Sequence, residues 1–413
     1  MVVQLHQDQK GMVRQGNDLS KPFQIRNGVK QGCVLAPTLF SIVFSLMLKH
    51  ATSGLEDDDA VYIRYRLDGC LFNLRRLKSH TKTSELLVRE LLFADDAALI
   101  AHSEAALQRL TTCFEASAQL FGLEVSLKKT EVLYQPAPRD EYHPPSIMIN
   151  NEPLKPVQQF KYLGSVISFD AQIDKDIDNR LSNASRAFGR LQNKVWKSKQ
   201  LKLATKVSLY RAVVLTTLMY GSECWVTHKH HVKQLERFHQ RCLRNILHIK
   251  WWDFVTDVEV LERAKLTSIE AMLTKNRLRW VGHVSRMESH RLPKIALYGE
   301  LSSGSRNVGT PKKRYKDLLK SSFGRFGICQ TNWTELATDR ASWRATINKA
   351  ATSFEQDRRT EAVEKRKKRK EKTKNVASNT SNSQLPVYNC DHCGRSCGSR
   401  IGLYSHQRAC KKT

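Results

Sequence analysis

The chain lacks any apolar run long enough to cross a bilayer: the longest, residues 38–48, falls well short of the ~20 residues a spanning helix requires. Its start carries no basic stretch leading into an apolar core, so no secretory signal is expected. No internal repeat runs through it, which excludes a solenoid or a propeller. Acidic residues are scarce, with 40 Asp and Glu against 68 Lys and Arg, and the formal net charge is +28. An excess of that size points to a polyanionic partner, and without an amphipathic anchor it does not point to a membrane. Cysteine is present but not patterned as a disulfide scaffold. Cys33, Cys70, Cys113, Cys224, Cys242 and Cys329 are scattered, whereas Cys390, Cys393, Cys397 and Cys410 cluster near the end. That distribution implies an intracellular, reducing location with one C-terminal metal site.

At 413 residues the chain has room for two or three cores. Residues 1–170 mix helix and strand patterns. Leu107, Leu110, Phe114 and Phe121 recur at helical spacing, and Leu123, Val125 and Leu127 then alternate like a strand. Residues 171–350 read mainly as helices, with apolar stripes through Leu181, Phe188 and Val195, through Val207, Val214 and Leu218, and through Leu235, Cys242 and Ile246. His239 and Cys242, three apart on the last stripe, have no second ligand pair nearby and read as structural. Residues 351–386 turn charged and then polar, a solvated linker with the unbroken basic run 365–370. That run suits nuclear import or phosphate contact equally. Residues 387–413 form the last unit.

Phe93-Ala94-Asp95-Asp96 lies between apolar, strand-like flanks, Leu86 to Val88 with Leu91 and Leu92 before it and Ala97 to Ile100 after it. The expected element is a buried hairpin with two carboxylates at its turn. Like charges brought together in apolar surroundings are costly unless cations neutralise them. Hard oxygen ligands suit magnesium or manganese, and paired ions can serve nucleotidyl transfer. A solvated acidic turn is the competing reading.

The neighbouring blocks decide between these. Asn27-Gly28-Val29-Lys30-Gln31-Gly32 precedes Pro37 and an apolar helix, with glycines that permit a tight turn and close backbone approach. After the Asp pair come Gly122-Leu123-Glu124-Val125-Ser126-Leu127-Lys128-Lys129 and Phe160-Lys161-Tyr162-Leu163-Gly164. In order, spacing and content these blocks resemble the reverse transcriptases of non-LTR (LINE-type) retrotransposons. Tyr220-Gly221-Ser222-Glu223-Cys224-Trp225 and Arg277-Leu278-Arg279-Trp280-Val281-Gly282-His283 resemble the region beyond the polymerase in the same family. The resemblance implies an α+β fold, a partial right-hand polymerase palm and then a helical thumb and post-thumb region, to which the Cys and His spacing at the C-terminus adds a small ββα zinc finger. It implies that Gln31, Gly32 and Pro37 contact template and incoming nucleotide, that Asp95 ligates magnesium with Asp96 beside it, and that Lys128 or Lys129 lies near the nucleotide phosphates. Tyr162, Leu163 and Gly164 would grip the primer end. RNA template, DNA primer or target DNA and deoxynucleotide triphosphates are the implied partners, and the nucleus the implied location.

The family also places a catalytic aspartate in a strand upstream of the turn at Gly28. Only Asp8 and Asp18 precede that turn, both in polar, irregular sequence, so neither is expected to serve. The chain therefore reads as the C-terminal part of such an enzyme and catalytically incomplete. The alternative is a non-catalytic nucleic-acid-binding protein or relic.

Cys390-x2-Cys393-x12-His406-x3-Cys410 has the ligand number and spacing of a zinc finger, with Tyr388 and Leu403 at its apolar positions and Cys397 or His392 as alternative ligands. Ser399, Gly402 and Ser405 occupy the base-facing positions and are too short for bidentate base contacts, leaving Arg395, Arg400 and Arg408 to meet phosphates. Elsewhere Arg277, Arg279, Lys312, Lys313 and Arg314 are interleaved with Trp280 and Tyr315, and Arg241 and Arg244 with Trp251 and Trp252. Such mixtures suit nucleic acid, although for any single residue a solvated helix face is the simpler expectation.

Overall fold

The computed structural model describes residues 3–4, 7–25, 28–29, 32–55, 60–79, 81–137, 140–304, 309, 311–380 and 388–410. Pro37 falls in the first turn of α1 (Ala36–Thr52), where a missing N–H costs nothing. Helix α2 (Glu104–Leu120) starts at Ser103, whose hydroxyl accepts the Ala106 N–H. The two pack through Met47, Leu48 and Ala118 with Phe44 and Phe114 edge to face at 6.5 Å. The other side of α1 stays bare, with Ile42, Val43 and Leu46 exposed.

Leu123, Val125 and Leu127 alternate in burial as a strand would, yet 123–126 have no ladder partner among the described residues. Their side chains pack under α1 and α2. The nearby strand is instead Glu131–Leu133, paired in parallel with Lys155–Val157.

Strands β1 (Val61–Tyr65) and β2 (Ser84–Val88) pair antiparallel. The third strand of this sheet is Gly299–Leu301, from the far side of the chain, with Gly299 opposite Tyr65. The segment between β1 and β2 follows the same route. Leu71 is buried among Leu278, Val281, Phe323 and Trp333, Phe72 meets Phe323 edge to face at 5.9 Å, and Arg76 donates to the Tyr298 carbonyl at 3.2 Å. A division at residue 170 is therefore crossed by one sheet and one core.

Two helical cores follow. In the first, α3 (Asp174–Arg190), the helical run 203–218, α4 (Lys229–Ile246) and α5 (Asp257–Ala264) bury Ile177, Trp196, Tyr210, Leu235 and Leu243. The expected stripes are the ones that face inward, and His239 and Cys242 are both buried. Helix α6 (Ile269–Ser285) serves both cores, giving Ile269 and Leu273 to the first and Leu278, Val281 and Val284 to the second. Its start is held from two sides: the Ser268 N–H and hydroxyl donate to buried Glu355, and the Ile269 N–H donates to Glu236 at 2.8 Å. The second core also takes α7 (Tyr315–Arg325) and α8 (Arg340–Thr380). Ala351 and Glu355 are core residues of α8, so the change to a charged composition at 351 does not mark the end of the packed body. Lys, Arg and Glu are good helix formers, and α8 continues through the exposed basic run 365–370. Residues 381–387 of the expected linker lie outside the described residues.

Candidate active site and nucleic-acid interface

Strands β3 (Glu90–Phe93) and β4 (Asp96–Leu99) form a hairpin in which Phe93 opposes Asp96. Ala94 and Asp95 are the two turn residues, and Ala94 takes φ +54°, a conformation that carries strain for any side chain. The turn fixes Asp95 and Asp96 side by side at its tip. The expectation of a buried tip is corrected: both aspartates are exposed, as are Leu92 and Phe93. Two features explain this. The apparent apolar approach is split, since β2 ends at Val88 and pairs with β1, and β3–β4 is a two-stranded sheet with no third strand among the described residues. Exposure removes the desolvation part of the case for a cation. What remains is a pair of carboxylates, a hard donor type, side by side at one tight turn.

A second hairpin, β5 (Gln159–Tyr162) and β6 (Ser165–Ser168), turns on Leu163 at φ +48° and Gly164 at φ +82°. Two consecutive positive φ values are what a tight two-residue hairpin requires. The Tyr162 hydroxyl donates to the Leu91 carbonyl at 3.1 Å and so ties this hairpin to the one bearing the aspartates. Burial first, and the negative charge of Asp96 second, raise the Tyr162 hydroxyl above the usual phenol range.

The base of this second hairpin is anchored by Asp176 and Arg180, which sequence reasoning did not select. Asp176, on α3, accepts the Val166 N–H at 3.0 Å through one carboxylate oxygen and the Trp225 indole N–H at 2.8 Å through the other. Arg180, one turn on, lies 3.6 Å from Asp176, donates to the Ser165 hydroxyl at 3.1 Å and stacks over the Tyr220 ring at 4.6 Å. The Tyr220 hydroxyl reaches the Leu163 carbonyl at 3.4 Å. Asp176 and Arg180 are both buried. The available signal was their phase: charged residues one helical turn apart, on the same stripe as Ile177 and Ala184.

Other expected site residues are less tightly placed. Gln31 lies outside the described residues. Gly32 is at φ +87° in an exposed turn ahead of Pro37. Lys128 and Lys129 are exposed on the turn 127–129. Asp18 sits in a two-residue strand paired with Arg14–Gln15, and Asp8 in a turn, both exposed. Among the described residues no third acid or histidine joins Asp95 and Asp96 as a ligand group.

The basic residues sort by burial. Arg277 is corrected: at 2% exposure it cannot meet a phosphate, and it donates instead to the Ser322 hydroxyl at 2.9 Å. Burial brings its guanidinium down to about 10. Its apolar neighbours Leu278 and Val281 would have flagged that face of α6 as inward. Arg314 is committed to Glu300, and Lys312 donates to the Asp170 carbonyl at 2.6 Å. Lys313 is half-buried, and burial lowers its ammonium. Arg279 is exposed and lines a cleft of about 500 Å³ with Trp280, Arg340 and Arg344.

At the C-terminus Cys390, Cys393, His406 and Cys410 bring their ligand atoms within 4.8 Å of one another. Tyr388–Asn389 pairs with Ser396–Cys397, and the helix Arg400–Cys410 packs on both strands. Cys390 is buried, and N–H donors from His392 and Cys393 lower its thiol. Three thiols and an imidazole at that separation can hold a metal ion. Neither His392 nor Cys397 is in the group. Ser399 is used locally, its hydroxyl accepting the Gly402 N–H at 3.1 Å, while Arg395, Arg400 and Arg408 are exposed. A second group, Asp174, His230 and His231, is also close enough for a metal. Here His231 Nδ1 accepts the His228 N–H, so the ring proton sits on Nε2 and is donated to Asp174 at 2.9 Å. The arrangement is a helix cap, with no free lone pair on His231.

Among the described residues no helix is long and apolar enough to cross a membrane. Residues 6–167 match the family model described as reverse transcriptase (RNA-dependent DNA polymerase). Over 278 residues the chain is 27% identical to a transposon-derived protein of Caenorhabditis elegans, covering 64% of this chain and 96% of that protein. It is 22% identical to the RNA-directed DNA polymerase from mobile element jockey of Drosophila melanogaster, over 57% of this chain and 23% of the relative. The same polymerase of Drosophila funebris is 22% identical over 72% of this chain and 29% of its own length. The chain thus spans about a quarter of the jockey polymerases it matches. Residues 6–167 are similar to a reverse transcriptase domain, and the longer stretch is similar to a transposon-derived protein and to the RNA-directed DNA polymerases of the mobile element jockey.

Proposed function

We propose that this chain acts in RNA-directed DNA synthesis, with the β3–β4 hairpin as the metal-binding edge of a polymerase palm and the β5–β6 hairpin as the grip on the primer end. The observation that carries this reading is the Tyr162–Leu91 hydrogen bond, which sets the expected primer-holding turn against the strand that presents Asp95 and Asp96. Asp95 and Asp96 would hold magnesium, which when bound supplies charge neutralisation for attack of a primer hydroxyl on a nucleotide phosphate. Tyr162, Leu163 and Gly164 position the primer backbone, and the helices after residue 170 form the thumb and its extension. RNA template, DNA primer and deoxynucleotide triphosphates are the partners. The exposed run 365–370 suits a nuclear address. Primer extension on an RNA template is expected to need magnesium and to vanish in Asp95→Asn/Asp96→Asn. Incorporation that survives the double variant overturns the reading. A second reading, a non-catalytic binder of nucleic acid, rests on the lack of a third carboxylate beside the pair among the described residues. Salt-sensitive primer–template binding by wild type with no incorporation selects it.

The C-terminal group reads as a zinc finger that holds phosphates and reads little sequence. The donor set fits zinc, and the short Ser399, Gly402 and Ser405 face where bases would lie. The purified chain is expected to release about one zinc per molecule to a chelator, and Cys393→Ser to arrive without it. Melting of the helical body should be unaffected in both, since among the described residues the main contacts of the finger's helix are with its own two strands. Zinc retained at full occupancy by Cys393→Ser would refute the assignment.

A further inference from the structure

Trp251, Trp252 and Phe254, between α4 and α5, are 80%, 55% and 80% exposed. Neither core uses them, so their retention in water calls for another explanation. They are not loosely held. The Lys250 N–H donates to the Asp253 carboxylate at 2.7 Å, the two indoles meet at 5.5 Å in a T-shaped pair, and Phe254 is fixed at φ +51°.

Beside this loop lies a cleft of about 800 Å³ whose wall on α4 carries Lys233, Arg237 and Arg241. Those residues are four apart, hence on one face and about 6 Å from each other along the axis. Lys197 and Lys250 add to the same cleft. All five are exposed, and none of them forms an ion pair among the described residues. Arg244, deeper in the cleft, is by contrast taken by Asp257 at 2.7 Å. The spacing of the row is close to that of successive phosphates along a strand.

We infer that α4 and the loop 250–254 form a track for a single polynucleotide strand, phosphates on the Lys233–Arg237–Arg241 row and bases stacked on the two indoles. A duplex offers the row its phosphates but hides its base faces, so only an unpaired strand uses both halves of the surface. The inference rests on the nucleic-acid reading above and assigns it to elements outside the two hairpins.

The test uses the full chain and labelled oligonucleotides of about 20 residues, oligo-U, oligo-dT and a duplex, followed by anisotropy across a salt series. Trp251→Ala/Trp252→Ala should weaken single-strand binding about tenfold or more, with the salt slope and the duplex affinity unchanged. Lys233→Gln/Arg237→Gln/Arg241→Gln should lower the slope of log affinity against log salt by about 2. Tryptophan fluorescence should be quenched by either single strand in wild type, and a preference between oligo-U and oligo-dT would name RNA or DNA as its occupant. All these side chains are exposed, and unchanged melting of each variant checks that folding is intact. Single-strand binding that ignores the indole variant, or falls equally for duplex, overturns the track. So does binding to anionic phospholipid vesicles that depends on the indoles while oligonucleotide binding does not. A wild-type chain that binds no oligonucleotide would refute the nucleic-acid reading itself.

Discussion

Gly282→Ala is expected to destabilise the helical body by about 2 kcal/mol, although the same change inside a helix ordinarily stabilises by about 1 kcal/mol. The sign is set by what a Cβ would meet. At Gly282 it would lie 2.0 Å from the Trp343 indole nitrogen and 2.4 Å from the adjacent ring carbon. The indole cannot retreat cheaply, because its N–H donates to the Leu278 carbonyl on α6 at 3.1 Å and its ring is fully buried against Trp333 and Phe323. Overpacking of a fixed site costs about 3 kcal/mol, which exceeds the propensity gain. Leu278 lies one turn before Gly282, so the bare glycine is what lets α8 approach α6 closely enough for that bond. Thermal unfolding followed by circular dichroism should show a fall of about 5 °C. Gly189→Ala, in α3 with nothing within 4 Å of its Cβ, should rise slightly instead. A Gly282→Ala chain that melts at or above wild type would mean the α6–α8 contact is looser than described.

How much of this was legible in the sequence depended on the range of the interaction. The helix 104–120 and the inward stripes of α3, α4 and the run 203–218 follow from local periodicity, because each buries a continuous face. The β3–β4 turn was readable from four residues, yet its burial was not, since exposure depends on which strands lie alongside it. Leu71 and Gly299 show the same limit: each is decided by a partner more than two hundred residues away in sequence. The C-terminal group was legible as a candidate because its side chains have the spacing that a ligand set needs, and their donor atoms do lie within 4.8 Å of one another. Arg277 was misread because its motif, Arg-Leu-Arg-Trp, presents two arginines that look equivalent in sequence while the helix turns one inward and the other out. Clustered charge identifies a basic region well. It does not say which member of the cluster faces water.

Asp176→Ala is expected to cost about 4 kcal/mol and to loosen the proposed primer grip before it unfolds anything else. The residue is 4% exposed and serves two donors at once, the Val166 N–H of β6 and the Trp225 indole. Its removal leaves both donors without an acceptor and leaves Arg180, itself 6% exposed, as a buried charge without its counter-ion. Breaking such a pair from one side is costly because the desolvation of the remaining partner is no longer offset. Asp176→Asn keeps an acceptor for one of the two donors but loses the charge, so its cost should be smaller and still exceed about 1 kcal/mol. The consequence travels through the hairpin, since Val166 pairs with Lys161, one residue from the Tyr162 hydroxyl that reaches the strand bearing the aspartates. Urea unfolding gives the stability change. Amide hydrogen exchange, run where the variant is still folded, should show faster exchange at 160–168 with little change in α6 and α8. Uniform acceleration across the chain would make Asp176 a general core residue, and an unchanged 160–168 segment would remove α3 from the proposed positioning of the primer end.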